Sequence, residues 1–131
     1  MISIEVRSQQ RQEMLDVTSE VSRIVHDSAV NEGMLHLFVP HTTAAVTINE
    51  NADPDVIRDM LAGLARLVPN DPSFTHVEGN SDAHIKSSLI GCQLSLPITG
   101  GTPLLGTWQG IYFCEFDGPR RRQLQVKIVA G

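Results

Sequence analysis

Residues 107–130 read TWQGIYFCEFDGPRRRQLQVKIVA, and they contain two strand-like stretches separated by a turn. Aromatic and β-branched residues favour a strand over 107–116, and alternating apolar positions favour another over 121–130. Asp117-Gly118-Pro119 between them is typical of a turn. A third strand is predicted over 93–97, before a Gly100-Gly101 turn, so we expect three strands in hairpin succession.

The rest of the chain alternates between strand and helix patterns. Asp53-Pro54 is a strong helix start, because a capping side chain precedes proline at the first helical position. Further strands are predicted over 2–6, 13–16, 34–39 and 44–48, and helices over 18–30, 54–68 and from Asn80 or Ser81 to Gly91. This order predicts an α+β fold: one compact domain over 1–131, with three helices and a mostly antiparallel mixed sheet.

Size and charge limit the classes of function. A chain of 131 residues with 41% hydrophobic residues has enough apolar content for one core. A net charge of -5 argues against a nucleic-acid partner, which needs a basic face. No apolar run approaches a membrane span, the N-terminus lacks the pattern of a signal peptide, and Cys92 and Cys114 form no C-x-x-C pair. We therefore expect a cytoplasmic protein with two reduced thiols and no membrane contact.

The segment 76–91, HVEGNSDAHIKSSLIG, concentrates polar chemistry at a predicted helix start. His76, Asp82 and His84 are residue types that bind zinc, and Gly79 permits a sharp reversal between them. Their spacing matches no standard zinc signature. The spacing therefore leaves two interpretations open, half of a metal site or a capped turn whose histidines bond to backbone.

A second polar cluster lies upstream, where Pro40-His41-Thr42-Thr43 joins two predicted strands. An imidazole from this loop would complete a three-histidine site with an open position for water or substrate. Glu50, in Asn49-Glu50-Asn51, shares the strand parity of the buried-looking residues before it, so its carboxylate needs a partner. The alternative is that 49–51 is only a capping turn.

Lys86 and the run Arg120-Arg121-Arg122 are the candidates for phosphate binding. In an extended segment Arg120 and Arg122 face one way and Arg121 the other, so only part of the run can serve one site. Solvated strand edges are the structural alternative. Trp108, Tyr112, Phe113 and Phe116 are expected in the core, with a subunit interface as the alternative.

Several long blocks, in this order, resemble the secondary thiamine-phosphate synthase (YjbQ-like) family. They are PHTTAAV at 40–46 with NEN at 49–51, the segment 76–91, LGTWQGI at 105–111 and EFDGPR at 115–120. The resemblance runs from about Ile4 to the C-terminus. It implies a compact α+β fold that assembles as a homotrimer, and a divalent metal site, zinc first and magnesium second, built by His41, His76 and His84.

The family name also implies a weak transferase activity that joins hydroxymethylpyrimidine diphosphate to thiazole phosphate with release of pyrophosphate. For that reaction, we expect catalytic roles for Glu50, Asp82 and Lys86. Substrate binding is expected from Thr42, Thr43, Asn49, Asn80, Gln109 and Arg120. The alternatives are a metal-dependent hydrolase or lyase acting on another small phosphorylated compound, and a non-catalytic trimer that binds metal or ligand.

Overall fold

The computed structural model describes all 131 residues, which form three helices and two antiparallel sheets. The strands are β1 (Ile2–Arg7), β2 (Glu13–Asp16), β3 (Gly33–Phe38), β4 (Ala44–Glu50), β5 (Gln93–Thr99), β6 (Thr102–Pro103), β7 (Gln109–Glu115) and β8 (Arg121–Ala130). The helices are α1 (Thr18–Asp27), α2 (Pro54–Leu67) and α3 (Ser81–Ile90). The large sheet has the order β1-β8-β3-β5-β6 and the small sheet the order β2-β7-β4. The predicted α+β class and the three helices are confirmed.

The main core lies between the two sheets and α1. Leu35, Leu124 and Val126 of the large sheet share one buried cluster with Val46 and Phe113 of the small sheet. Val21 and Val25 on one face of α1 join the same cluster, as their helical spacing requires. Burial of these aliphatic and aromatic side chains is the main source of stability in the fold.

The small sheet is a middle layer, because its second face is also covered. Ala45, Tyr112 and Cys114 point away from the main core and form a second cluster with Ala83 of α3 and apolar side chains of α2. Strand β7 is therefore buried on both faces, which explains the continuous apolar run IYFC at 111–114.

The strand pairing differs from the hairpin succession expected from the sequence. β7 pairs with β2 and β4, β8 pairs with β1 and β3, and β5 pairs with β3 and β6. A strand that is apolar on both faces is best placed at the centre of a covered sheet. The turn at 117–119 therefore carries the chain from one sheet to the other.

Element boundaries show smaller differences. Asp53 caps α2 as predicted, accepting a hydrogen bond from the Asp55 amide at 2.9 Å. Helix α1 ends at Asp27, earlier than expected. At its start the Asp16 carboxylate, rather than the Thr18 side chain, accepts a backbone hydrogen bond, from the Thr18 amide at 2.9 Å. Trp108 is 63% exposed just before β7, so its expected place in the core is wrong. No helix combines the length and apolar character that crossing a bilayer requires.

Candidate functional site

The two polar clusters of the sequence meet in one cleft of 440 Å³, which we call the histidine cleft. Only one of the residues that line it, Pro40, has an apolar side chain. The lining residues are Pro40, His41, Thr42, Thr43, His76, Glu78, Asn80, His84, Arg120 and Arg122. The volume lies in the range of small-molecule sites, although such sites usually have a mostly apolar lining. A lining in which nine of the ten residues are polar or charged favours a charged, hydrated ligand.

Three connections between secondary structure elements build the walls. They are the β3–β4 loop, the α2–α3 connection and the β7–β8 connection. The β3–β4 loop carries His41, and Ser87 of α3 donates to the Ala44 carbonyl at 2.6 Å, which fixes α3 against the start of β4. Before α3, a turn closes with the Gly79 amide on the His76 carbonyl at 3.0 Å. Gly79 has φ +72°, a conformation that glycine adopts without cost, so the predicted reversal is confirmed.

His76 and His84 form an imidazole pair across this turn. Their ring centroids lie 5.5 Å apart and the ring planes cross at 86°. Two imidazoles on one tetrahedral zinc ion, at bond lengths of about 2.0 Å, have centroids about 5 Å apart. The centroid distance of the pair is close to this value, and binding of one ion would require a nitrogen of each ring to face it.

A three-histidine metal site is not assembled in this structure. No group of three or more His, Cys, Asp or Glu side chains lies close enough to hold an ion. His41 is engaged elsewhere, because its Nε2 accepts a hydrogen bond from the Gln123 amide at 3.0 Å. A neutral ring that accepts at Nε2 carries its proton on Nδ1, so neither nitrogen is free for a metal while this bond persists. Ligation by His41 requires that the bond to Gln123 be broken.

Burial is the main reason why the pKa of His41 lies below its usual value, and the positive charge of Arg122 lowers it further. Both effects disfavour the imidazolium form. At neutral pH His41 is thus an uncharged ring that can donate from Nδ1.

Arg122 and Glu115 form a buried ion pair beneath the cleft. Glu115 accepts from Arg122 Nε at 2.9 Å and from Nη2, and Ser8 Oγ donates to the same carboxylate at 2.7 Å. Burial alone would raise the pKa of Glu115, but these hydrogen bonds and the Asp117 amide outweigh it and hold the pKa below its usual value. Arg122 Nη2 also donates to Thr43 Oγ1 at 2.7 Å, which fixes the predicted substrate-binding Thr43 as an acceptor.

The sequence prediction left the role of Arg122 open, although a signal was present. Position 122 has the parity of Leu124, Val126 and Ile128 on the inward face of β8. A charged residue on an apolar face requires a buried counterion, and Glu115 is that partner.

A second chain of polar contacts links the β7–β8 connection to α3. Arg120 donates to Asp117 Oδ2 at 2.7 Å, and Asn80 Nδ2 donates to the same oxygen at 2.7 Å. The Oδ1 atom of Asn80 is buried and has no hydrogen-bond partner. An unpaired buried oxygen costs about 1–3 kcal/mol, so this atom needs an explanation.

Asp82 and Lys86, predicted as catalytic residues, do not line the cleft. Both side chains are buried, and Lys86 Nζ lies 3.4 Å from Asp82. Arg11 binds both Asp82 oxygens, at 2.9 and 3.0 Å, and Lys86 also donates to Gln12 at 3.1 Å. These side chains fasten the segment before β2 to α3, and this network accounts for their charges.

Glu50, Asn49 and Gln109 lie at the opposite end of the small sheet. Glu50 pairs in register with Gln109, whereas the cleft end pairs Ala44 with Glu115. Six residues of strand separate the two ends by about 20 Å. The Glu50 carboxylate accepts a hydrogen bond from the Asp53 amide at 3.2 Å. This bond matches the capping-turn alternative. Within one protomer these three residues do not reach the histidine cleft.

The comparisons with known proteins agree with this fold over nearly its full length. A UPF0047 protein of Methanocaldococcus jannaschii is 51% identical over 129 residues, covering 98% of this chain and 94% of the relative. The UPF0047 protein YugU of Bacillus subtilis is 44% identical over 128 residues, covering 97% of each. A crystal structure of an uncharacterized YjbQ/UPF0047 family protein from Clostridium acetobutylicum superposes with a TM-score of 0.96 at 50% identity, covering 98% of this chain and 100% of that one. The family model described as "UPF0047 protein YjbQ-like" matches residues 2–131, and the chain belongs to that family.

Proposed function

We propose that the histidine cleft binds a small phosphorylated molecule and catalyses a displacement reaction on it. The observation that carries this proposal is the convergence of three imidazoles and two guanidinium groups on one mostly polar cleft. Such a set supplies positive charge and hydrogen-bond donors to oxygens on which negative charge develops. The names of these relatives state no activity, so the proposal rests on the chemistry of the cleft.

Arg120 and Arg122 are proposed to hold the phosphate. Each uses Nε and Nη2 for bonds within the protein, and neither Nη1 has a partner in the chain. Both residues line the cleft, so two guanidinium nitrogens remain for an anion. Thr42, exposed on the same wall, adds a hydroxyl donor.

A divalent metal ion is proposed at His76 and His84, with zinc preferred to magnesium because both ligands are nitrogens. When bound, it would act as a Lewis acid on the phosphate oxygens. His41 is assigned a different role, as a neutral donor through Nδ1–H, because Gln123 occupies its Nε2.

Thiamine-phosphate synthesis is the specific reaction that we propose first. The thiazole nitrogen would attack the methylene carbon of the pyrimidine diphosphate, and the carbon–oxygen bond would break with its electron pair leaving on pyrophosphate. Arg120 and Arg122, which both line the cleft, are proposed to bind that leaving group. Hydrolysis of a small phosphorylated molecule is the second candidate, favoured by a lining in which Pro40 is the only apolar side chain that could exclude water.

One experiment separates these reactions. Metal-free protein is loaded with Zn²⁺ or Mg²⁺ and incubated with both phosphorylated precursors, and thiamine phosphate, pyrophosphate and inorganic phosphate are quantified. We expect metal-dependent product that falls at least about a hundredfold in His84→Ala. His26→Ala, an exposed histidine on α1, is the matched control and retains activity. Absence of every product, or equal rates in His84→Ala, would refute an active site in this cleft.

A homotrimer is proposed as the assembly. Val77 is 99% exposed and Leu89 of α3 is 59% exposed, so both apolar side chains are accessible to another copy of the chain. Light scattering should give about three times the chain mass of 14.3 kDa. The mass of a single chain would refute the trimer.

We also propose a cytoplasmic location, supported by the two unpaired thiols. Cys92 is exposed, and Cys114 is buried, which raises its pKa to about 12. Free thiols are usual in a reducing compartment. Cell fractionation tests the location, and recovery outside the cytoplasm would contradict it.

A further inference from the structure

Asn80 lines the histidine cleft and is 5% exposed. Its amide orientation is fixed, because Nδ2 donates to Asp117 Oδ2, the same oxygen that receives the Arg120 guanidinium. A carboxylate paired with arginine can only accept, so the nitrogen of Asn80 faces Asp117 and Oδ1 faces away. Oδ1 is the one buried side-chain nitrogen or oxygen in the chain without a hydrogen-bond partner.

This oxygen is not used to cap α3. Asn80 occupies the N-cap position, where asparagine normally accepts an amide bond through its side chain, yet no such bond is present. The amides of Ala83 and His84 instead reach the Asn80 backbone carbonyl, at 3.0 and 3.3 Å. The side chain of this cleft-lining residue has therefore kept an unpaired acceptor.

Glu78 supplies a second observation at the same place. It lines the cleft, is exposed, and has no ion-pair or hydrogen-bond partner, whereas Asp117 and Glu115 are both paired with arginine. The cleft thus combines guanidinium nitrogens suited to an anion with an acceptor and a carboxylate suited to a cationic donor.

We infer that the ligand of the histidine cleft carries an amino group close to its phosphate, and that Asn80 Oδ1 accepts a hydrogen bond from it. Glu78 balances the charge of the ammonium group. The inference rests on the proposed phosphate site and adds the substrate class, a phosphorylated amine. Asn80 is then a specificity-determining residue.

Calorimetric titrations with matched phosphonates test the inference, since phosphonates resist hydrolysis. Aminomethyl-, 2-aminoethyl- and 3-aminopropylphosphonate are compared with methyl-, ethyl- and propylphosphonate. We expect at least one amino compound to bind about tenfold more tightly than its alkyl partner, which corresponds to about 1.4 kcal/mol. The preference should fall to about twofold in Asn80→Ala. It should also fall in Glu78→Gln, which changes an exposed side chain and spares the fold.

The preference is a ratio within one protein, so partial unfolding of Asn80→Ala cancels. Asn70→Ala is the control, because Asn70 bonds the Gly79 carbonyl outside the cleft and should leave the preference unchanged. Equal binding within every wild-type pair would overturn the inference and leave the phosphate site standing, as expected if only water meets Oδ1. Failure of all six compounds to bind would overturn both proposals. A preference that survives in both Asn80→Ala and Glu78→Gln would overturn the assignment to this cleft wall.

Discussion

His41 accepts a hydrogen bond at Nε2 from the backbone amide of Gln123, at 3.0 Å, which ties the β3–β4 loop to strand β8. The bond selects the tautomer with its proton on Nδ1. Burial and the charge of Arg122 lower the pKa of the ring, so it remains neutral at pH 7. The structure thus separates His41 from the pair formed by His76 and His84, although all three line one cleft.

This separation predicts different metal affinities for two histidine variants. His84→Ala should weaken Zn²⁺ binding by about a hundredfold or more, beyond the loss expected for an outer-shell partner. His41→Ala should change it by about threefold or less, in the range of a residue that does not ligate. Competition titration with a chelating dye measures both, with His26→Ala as control. Equal losses in His41→Ala and His84→Ala would establish a three-histidine site formed by rotation of the His41 ring.

The buried pair of Arg122 and Glu115 predicts a large stability effect. Arg122→Met leaves the carboxylate of Glu115, which is 0% exposed, without its counterion, and should lower the free energy of unfolding by about 3–5 kcal/mol. The double variant with Glu115→Leu should recover most of that loss. Urea unfolding at pH 7 and fixed protein concentration measures both. Arg7→Met, which breaks an exposed pair with Glu5, is the control. A cost in Arg122→Met as small as in the control would contradict this account of the pair.

Asp82 predicts a loss of stability in acid. Burial would raise its pKa, but the hydrogen bonds and charge of Arg11, with Lys86, hold it below the usual value. Because the folded state favours the carboxylate, the stabilisation is complete above an unfolded pKa of about 4 and is lost as the pH falls through the lower folded pKa.

Arg11→Met should therefore lower the free energy of unfolding by about 1–2 kcal/mol at pH 7. This value is at the lower end for hydrogen bonds between charged groups because the Arg11 side chain is 41% exposed. The difference from wild type should shrink below about pH 4. Urea unfolding as a function of pH measures it, and Arg58→Met, from an exposed pair on α2, is the control. A difference that is constant across this pH range would show that Arg11 acts through packing alone.

Glu50 and Gln109 test whether one protomer contains the whole site. Both lie at the far end of the small sheet, so Glu50→Gln and Gln109→Ala should change ethylphosphonate affinity by about twofold or less. Arg120→Ala removes a charged donor from the cleft and should weaken binding about tenfold. Calorimetry measures all three. A large loss in Glu50→Gln would show that a neighbouring copy brings this strand end to the cleft.

Most secondary structure elements were predictable because their signals are local. Asp53-Pro54 marks the start of α2, and alternation marks β8. The pairing of strands was not predictable in the same way, since it depends on which faces are covered. The apolar run in β7 does not identify the elements that cover the strand, and only the structure gives α2 and α3 as the cover of its second face.

The histidines of the site were predictable because they lie in polar clusters that are visible in the local sequence. His41, His76 and His84 were expected together, and they line one cleft. Charged side chains in a polar segment suggest ligand binding, which is why Asp82 and Lys86 are expected in catalysis. Their partners are far away in sequence: Arg11 is 71 residues from Asp82, and Gln12 is 74 residues from Lys86. Long-range pairing of this kind leaves no local pattern.

Binding of a small phosphorylated molecule in the histidine cleft can be observed directly through the five imidazoles of the chain. Long-range ¹H–¹⁵N NMR of the histidine rings is recorded while metal-free protein is titrated with ethylphosphonate. We predict saturable shifts for His76 and His84, a signature of the Nδ1–H tautomer for His41, and no change for the exposed His26 and His36 outside the cleft. Unchanged His76 and His84 resonances at saturating ligand, or equal shifts at His26 and His36, would contradict the claim.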